Sequence, residues 1–227
     1  MIKLKDILLE NTAPSIFTAR RTIDRTKRQA AIAYRKVVKL VDEYVAGGSK
    51  GNLYLSNLDL SALPSNLKNV KVGGHFYCNS NKLTSLEGAP SSVGGNFYCN
   101  FNNLTSLKGA PTHVGGDFDC NNNKLASLQG APSNIGGDFI CGYNNLTSLE
   151  GAPKSVGGNF YCYDNELTSL EGAPSSVGDF SCSNNNLTSL QGAPSSVGGD
   201  FICSYNSVQF TAQQVKAVCD VRGALYI

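Results

Sequence analysis

The amino-acid sequence predicts a repeat solenoid, in which short parallel β-strands stack beside an irregular convex side, with an N-terminal α-helical cap and a short C-terminal helix. Seven of the eight cysteines recur at an interval of 21 residues, with a single interval of 20 between Cys162 and Cys182. A Phe stands two residues before each of these cysteines. The seven cysteines are Cys78, Cys99, Cys120, Cys141, Cys162, Cys182 and Cys203. A fixed period of this length is typical of stacked coils that bury a shared core.

The copy at 94–114 shows what each unit contains. Phe97 and Cys99 are two residues apart, so both side chains face the same side of a short strand. Asn102 follows where the chain turns, and its amide can pair with backbone groups of neighbouring coils. Leu104 continues the apolar pattern, and the Gly and Pro residues of each unit exclude a long helix. We therefore expect Phe, Cys and Leu to form columns along the core.

These residues resemble a leucine-rich repeat, whose pattern is Leu-x-x-Leu-x-Leu-x-x-Asn-x-Leu. Phe97, Cys99, Asn102 and Leu104 match its second to fifth fixed positions, whereas Gly94 replaces the first Leu. The short repeats of bacterial and phage proteins are the most similar subtype. The resemblance covers residues 51–208, about eight coils, and implies a solenoid fold.

A pair of glycines precedes each Phe-x-Cys, except in the copy that contains Gly178 alone. That copy gives the 20-residue interval and restores the spacing of the short bacterial repeat. We interpret the second glycine of the other copies as a one-residue bulge before the strand.

Both ends of the array depart from the repeat, as terminal coils often do. An imperfect first copy keeps the apolar spacing through Leu53, Leu55, Leu60, Leu63 and Val70. Residues 209–227 are predicted to form a C-terminal cap. Thr211 and Gln214 have the spacing of a capping box, and Val215, Val218 and Cys219 would share one face of the helix that follows. The last residues, 225–227, are predicted to add an edge strand.

Residues 1–50 form a basic segment with 11 Lys and Arg against 5 Asp and Glu, whereas residues 51–227 carry 8 against 12. Helical spacing of apolar residues from about Ile23 to Val45, followed by Gly47-Gly48, predicts an amphipathic helix. One interpretation is a cap that packs over the first coil. The alternative is a weak contact with nucleic acid or a capsid through Arg20, Arg21, Arg25, Lys27 and Arg28.

The segment from Met1 to Glu10 is too short and too charged for a secretory signal. It resembles the capsid-targeting leaders of internal head proteins in large tailed phages, which end in Leu/Ile-x-Glu. Leu8-Leu9-Glu10 matches that rule, so the resemblance implies cleavage after Glu10 and packaging into a virion. The repeats also resemble those of phage leucine-rich repeat proteins, which favours a phage origin.

Neither a cofactor, a metal nor an enzymatic activity is expected. The cysteines lack paired Cys-x-x-Cys spacing, and side chains in one column point in parallel rather than converging on an ion. We predict that they are buried, reduced and apolar in character. The two histidines, His75 and His113, occupy different parts of the repeat, and no nucleophile or phosphate-loop motif accompanies them.

Residues beside Phe and Cys should point away from the core, onto the concave side of the solenoid. These positions vary between copies while the framework does not, and they combine aromatic, aliphatic and acidic side chains, as protein-binding surfaces do. Ordinary solvated strand surface is the alternative interpretation. The predicted partner-binding residues are Tyr77, Tyr98, Asp117, Asp119, Asp138, Ile140, Tyr161, Asp179, Asp200 and Ile202.

The sequence therefore favours a non-enzymatic protein-binding module on the concave face, with an unidentified protein partner and no membrane contact. Two alternatives remain: an internal virion protein that carries its own leader, and an inhibitor of a host defence protein. The expected location is the host-cell cytoplasm, or the virion interior if the leader is genuine, and not outside the cell.

Overall fold

The computed structural model describes the backbone of residues 16–227 and the side chains of Arg28 and residues 31–227. Three of the sequence predictions therefore lie outside the described residues. These are cleavage after Glu10, the capsid-targeting leader, and contacts by the side chains of Arg20, Arg21, Arg25 and Lys27.

Helix α1 (Ile16–Ala46) begins earlier than the sequence pattern predicted and ends at the expected glycine pair. Its C-terminal half packs on the solenoid, where Val37 and Val41 are buried. Asn66 holds the helix there by donating to the Val38 carbonyl at 3.2 Å and to the Asp42 carboxylate at 2.8 Å. In contrast, residues 31–36 and Arg28 are exposed. The cap is thus provided by the second half of the helix.

The solenoid consists of two-residue strands and one 3-10 helix, Ser65–Leu67. Every strand pairing is parallel, as predicted. In chain order the strands are β1 (Leu53–Tyr54), β2 (Lys71–Val72), β3 (Phe76–Tyr77), β4 (Ser92–Val93), β5 (Phe97–Tyr98), β6 (His113–Val114), β7 (Phe118–Asp119), β8 (Asn134–Ile135), β9 (Phe139–Ile140), β10 (Ser155–Val156), β11 (Phe160–Tyr161), β12 (Ser176–Val177), β13 (Phe180–Ser181), β14 (Ser196–Val197), β15 (Phe201–Ile202), β16 (Asp220–Val221) and β17 (Leu225–Tyr226).

Within the described residues, the odd-numbered strands form one nine-stranded sheet in chain order. Each Phe lies directly opposite the Phe of the next coil, as Phe97 lies opposite Phe118. The rings of this column stack at centroid distances of 5.0–5.8 Å and are fully buried. The Cys and Leu columns are buried beside them, which confirms the predicted core.

The predicted role of the repeat asparagine is confirmed. Asn144 accepts the backbone N–H of Leu125 in the preceding coil at 2.9 Å. Its amide nitrogen donates to the carbonyls of Cys120 at 3.1 Å, Cys141 at 3.2 Å and Gly142 at 3.1 Å. One side chain therefore satisfies four backbone groups at the turn, on two neighbouring coils. The same arrangement recurs at Asn81, Asn102, Asn123, Asn165 and Asn185, and Asn206 makes all but one of its hydrogen bonds.

The interpretation of the second glycine as the inserted residue is wrong. Gly178 is the lone glycine of its copy, and its N–H donates to the carbonyl of Gly158, the second glycine of the preceding coil. Gly178 therefore aligns with the second glycines of the other copies. The first glycine is thus the residue that the short copy lacks. A Cβ on Gly115 would overlap the carbonyl of Gly94, whereas Gly198, which follows the short coil, has its nearest atom 3.7 Å away. The first glycines allow this close approach of successive coils.

The even-numbered strands were not predicted from the sequence. They lie just before the glycine pair, in the half of each coil that was expected to be irregular. Strands β2, β4, β6, β8 and β10 form a five-stranded sheet, and β12, β14 and β16 form a three-stranded sheet. Hydrogen bonds therefore join successive coils on both sides of the glycine corner.

The C-terminal end closes the stack much as predicted. Helix α2 (Ala212–Val218) starts at a capping box in which Thr211 accepts the Gln214 N–H, and Val215 and Cys219 are buried. Val218 is 44% exposed, so its predicted place on the buried face is wrong. Strand β17 pairs with β15 as the expected edge strand. The nine-stranded sheet thus extends beyond residue 208 and into the C-terminal segment.

We expect Asn144→Ala to lower the free energy of unfolding by about 3 kcal/mol, because it leaves buried backbone groups on two coils without partners. Urea denaturation measures this change. The matched control is Asn145→Ala, since Asn145 is exposed and its side chain makes one long contact, 3.4 Å, with Glu166. Equal losses for the two variants would contradict the role given to the repeat asparagine.

Candidate functional site

The candidate site is the outward surface of the nine-stranded sheet, which we call the strand face. It is built from four columns of residues: those just before each Phe, those between Phe and Cys, and the first and second residues after Cys. The predicted partner-binding residues all lie on it, in the first two columns. Most of them are half-buried, and Asp119 is 8% exposed.

The first column has a structural task that the sequence did not predict. Asp117 Oδ1 accepts the backbone N–H of Asp138 in the next coil at 2.9 Å, and Asp138 Oδ1 accepts that of Asn159 at 2.7 Å. Asp179 Oδ1 likewise accepts the N–H of Asp200 at 2.9 Å. The second carboxylate oxygen points elsewhere: the Tyr161 hydroxyl donates to Asp179 Oδ2 at 3.3 Å. These acids therefore link the coils as well as carrying charge.

The second glycine of each pair makes room for this side-chain ladder. A Cβ on Gly137 would overlap Asp117 Oδ1, and a Cβ on Gly158 would overlap Asp138 Oδ1. An Asp or Asn before the Phe of one coil thus requires glycine at the corner of the next. The side chain before Phe and the glycine of the next coil are therefore required together for the coils to stack.

The second column begins with three stacked tyrosines. The Tyr54 and Tyr77 ring centroids are 4.8 Å apart and those of Tyr77 and Tyr98 are 5.0 Å apart, with interplanar angles of 10° and 18°. The stack ends at Asp119, which lies opposite Tyr98 in the next strand, and Ile140 follows. An aromatic surface and an acidic group therefore meet in the middle of the strand face.

The columns after Cys contain aromatic residues that were not among the predicted partner-binding residues. Phe101, Tyr143 and Tyr205 are 54%, 52% and 81% exposed. All three have left-handed backbone conformations, with φ of 52°, 50° and 56°. This region costs a non-glycine residue about 1–2 kcal/mol and is unusual for large side chains. Small polar residues occupy the same position in other coils, so the exposed rings are not required by the turn.

Tyr163 is a further strand-face residue that the sequence reasoning missed. Its ring lies over Gly142, where a Cβ would overlap the ring edge. It packs edge-on against Tyr143 at a centroid distance of 5.5 Å and at a tilt against Tyr161 at 6.4 Å. The usable signal was Gly142, the one glycine that follows a repeat cysteine. That glycine leaves a gap in its column, and the ring from the next coil fills it.

The repeat cysteines lie behind this surface and are not reactive groups of the site. These seven and Cys219 all have free thiols. Burial raises the pKa of the Cys141 thiol well above its usual range, so the thiolate form is suppressed. The thiol of Cys99 donates to the Asp119 carbonyl at 3.3 Å. Among residues 28–227 whose side chains are described, no group of three or more His, Cys, Asp or Glu could hold a metal.

Two solved structures resemble this one. The Shigella effector leucine-rich repeat (LRR) domain aligns over 84% of this chain and 88% of its own, at 19% identity and a TM-score of 0.59. The chain has an LRR fold. YopM from Yersinia enterocolitica aligns over 68% of this chain and 38% of its own, at 24% identity and a TM-score of 0.44. No protein-family model and no curated protein matches the sequence. Identity this low shows the fold alone.

Within this LRR fold, Asp119 is the most perturbed carboxyl group. Burial raises its pKa from 3.8 to about 6, although the Asn121 N–H lowers the pKa in part and the nearby charge of Asp117 raises it further. Its environment therefore destabilises the charged form. An Asn at this position would keep the hydrogen bond from the Asn121 N–H without a buried charge. Because Asp119 lowers the stability of the fold relative to such an Asn, it is a candidate functional residue.

We expect the free energy of unfolding to fall as pH rises from about 4 to about 6, because folded Asp119 retains its proton over this range and unfolded Asp119 does not. The contribution of this residue is up to about 3 kcal/mol. Asp119→Asn should remove that part of the fall and should be more stable than the parent protein above a pH of about 6. Urea denaturation across this range measures it.

Asp164→Asn is the control, since it removes the same charge from the strand face at a site where Asn tolerates the left-handed backbone. Identical pH dependence in Asp119→Asn and the parent protein would contradict the assignment.

Proposed function

We propose that this protein is a non-enzymatic binding module that holds a protein partner on its strand face. The observation that carries the proposal is the set of exposed aromatic rings at the second position after the repeat cysteines. Phe101, Tyr143 and Tyr205 are large, exposed and held in a costly backbone conformation that packing does not require. Exposed aromatic rings are the anchors of protein interfaces, since they bury much area and lose little side-chain entropy.

Charge on the strand face supports a protein partner over a nucleic acid. Half of the 12 acidic residues of 51–227 lie in the four columns, and none of its 8 Lys and Arg does. Phosphates would be repelled by this surface. Acids beside aromatic rings favour specificity and rapid association with a protein of opposite charge. The resemblance of the fold to the Shigella effector LRR domain is compatible with this proposal.

Phage origin, packaging into a virion and inhibition of a host defence protein remain predictions from the sequence. So does the cytoplasmic or virion location. Arg28 is exposed on α1, which is compatible with the predicted contact with nucleic acid or a capsid. No helix of residues 16–227 is long and apolar enough to cross a membrane.

We expect simultaneous replacement of Tyr98, Ile140 and Tyr161 by Ala to weaken binding of the partner by at least about a hundredfold, since three central interface side chains are lost. The partner is first identified by affinity purification from the native host, and then purified. Calorimetric titration of that purified protein measures the effect. A melting curve shows whether the variant solenoid still folds.

The matched control replaces Thr105, Thr147 and Thr168 by Ala. These exposed residues directly follow the repeat Leu and lie outside the four columns of the strand face. That variant should bind as the parent protein does. Undiminished binding by the strand-face variant would refute the proposal.

A further inference from the structure

Asp119 is a buried acid with one free oxygen. Its Oδ1 accepts the N–H of Asn121 at 3.0 Å, whereas no donor among the described residues reaches Oδ2. The side chain is 8% exposed. Oδ2 is not among the fully buried side-chain atoms that lack a partner, so it reaches the surface of the strand face and can accept a donor from a bound protein. A cation at this oxygen would offset the cost of holding the carboxylate largely out of water.

Aromatic rings lie on two sides of Asp119. Tyr98 lies opposite Asp119 on one side, at the end of the stacked tyrosines. On the other side Tyr163 reaches over Gly142 towards the acid, and the charge of Asp119 contributes to a raised pKa of Tyr163, after burial and the neighbouring Tyr143. The faces of aromatic rings attract cations, most strongly where water is excluded.

We propose that Asp119, Tyr98 and Tyr163 form a binding site for an arginine side chain of the protein partner. This inference rests on the proposed function and names the chemistry that the strand face recognises. A guanidinium group is planar and carries five donors, so it can donate to a carboxylate oxygen while stacking on a ring. An ammonium group is a compact and strongly hydrated charge, which fits this arrangement less well.

The test uses the full chain, labelled for NMR, and short Gly-Ser peptides that carry one central residue. The central residue is arginine, lysine or citrulline, the last being the uncharged analogue of arginine. We expect the arginine peptide to shift the signals of Asp119, Tyr98 and Tyr163 in a saturable way. The citrulline peptide should bind at least about tenfold more weakly, because the charge-assisted hydrogen bonds are lost.

Variants separate the site from the general charge of the strand face. Asp119→Asn keeps the bond from Asn121 and should weaken binding of the arginine peptide at least about tenfold. Asp164→Asn, the matched loss of charge, should change it by less than about twofold. Tyr163→Leu keeps an apolar side chain without the ring face and should weaken it about threefold.

Three results would overturn the inference. They are equal affinities for the arginine and citrulline peptides, equal losses in Asp119→Asn and Asp164→Asn, or tighter binding of the lysine peptide. Failure here is distinguishable from failure of the proposed function. If the purified partner binds Asp119→Asn normally but not the triple variant at Tyr98, Ile140 and Tyr161, the strand face binds a partner through other chemistry.

Discussion

Hydrogen bonding between coils one strand spacing apart is the constraint on which the rest of this structure depends. Each coil is too small to satisfy its own backbone, so its N–H and C=O groups must find partners in the coils above and below. Two-residue strands do this along the sides. Where the chain turns, the missing partners are supplied by the repeat asparagine and by the residue before each Phe, which is Asp or Asn in every coil but one and His75 before Phe76. Glycine at the corner follows, since the neighbouring coil leaves no space for a Cβ.

This constraint divides the polar residues of the strand face into two groups. Acids of the first column, such as Asp117 and Asp138, accept a backbone N–H of the neighbouring coil with one oxygen, a structural role that Asn96 and Asn159 fill in other coils. Asp119 belongs to the other group, because its position is filled by Tyr, Ile or Ser in other coils, and burial opposes its charge. Tyr143 and Tyr163 also depart from the framework. Residues that the stack does not require, and that cost stability, mark the centre of the candidate site.

Repetition made the fold predictable, because seven copies expose which positions are fixed. The odd-numbered strands, the core columns and the asparagine ladder followed from the repeat spacing, and both caps followed from helical and capping-box patterns. The even-numbered strands did not. Neither did the ladder of side chains before each Phe nor the paired role of the glycines, since both depend on the distance between coils. The site was predicted only in part. The first two columns were identified, but Tyr163 was missed because it reaches across Gly142 into a neighbouring coil, a contact that no periodic pattern reveals.

Hydroxyl-radical footprinting of the purified complex tests the central claim, that the strand face is the binding surface. Partner binding should shield Phe101 and Tyr143 from oxidation, while Tyr34 on α1, which is 38% exposed, should oxidise at an unchanged rate. Shielding of Tyr34 with undiminished oxidation of Phe101 and Tyr143 would contradict the account and would place the interface on the helical cap.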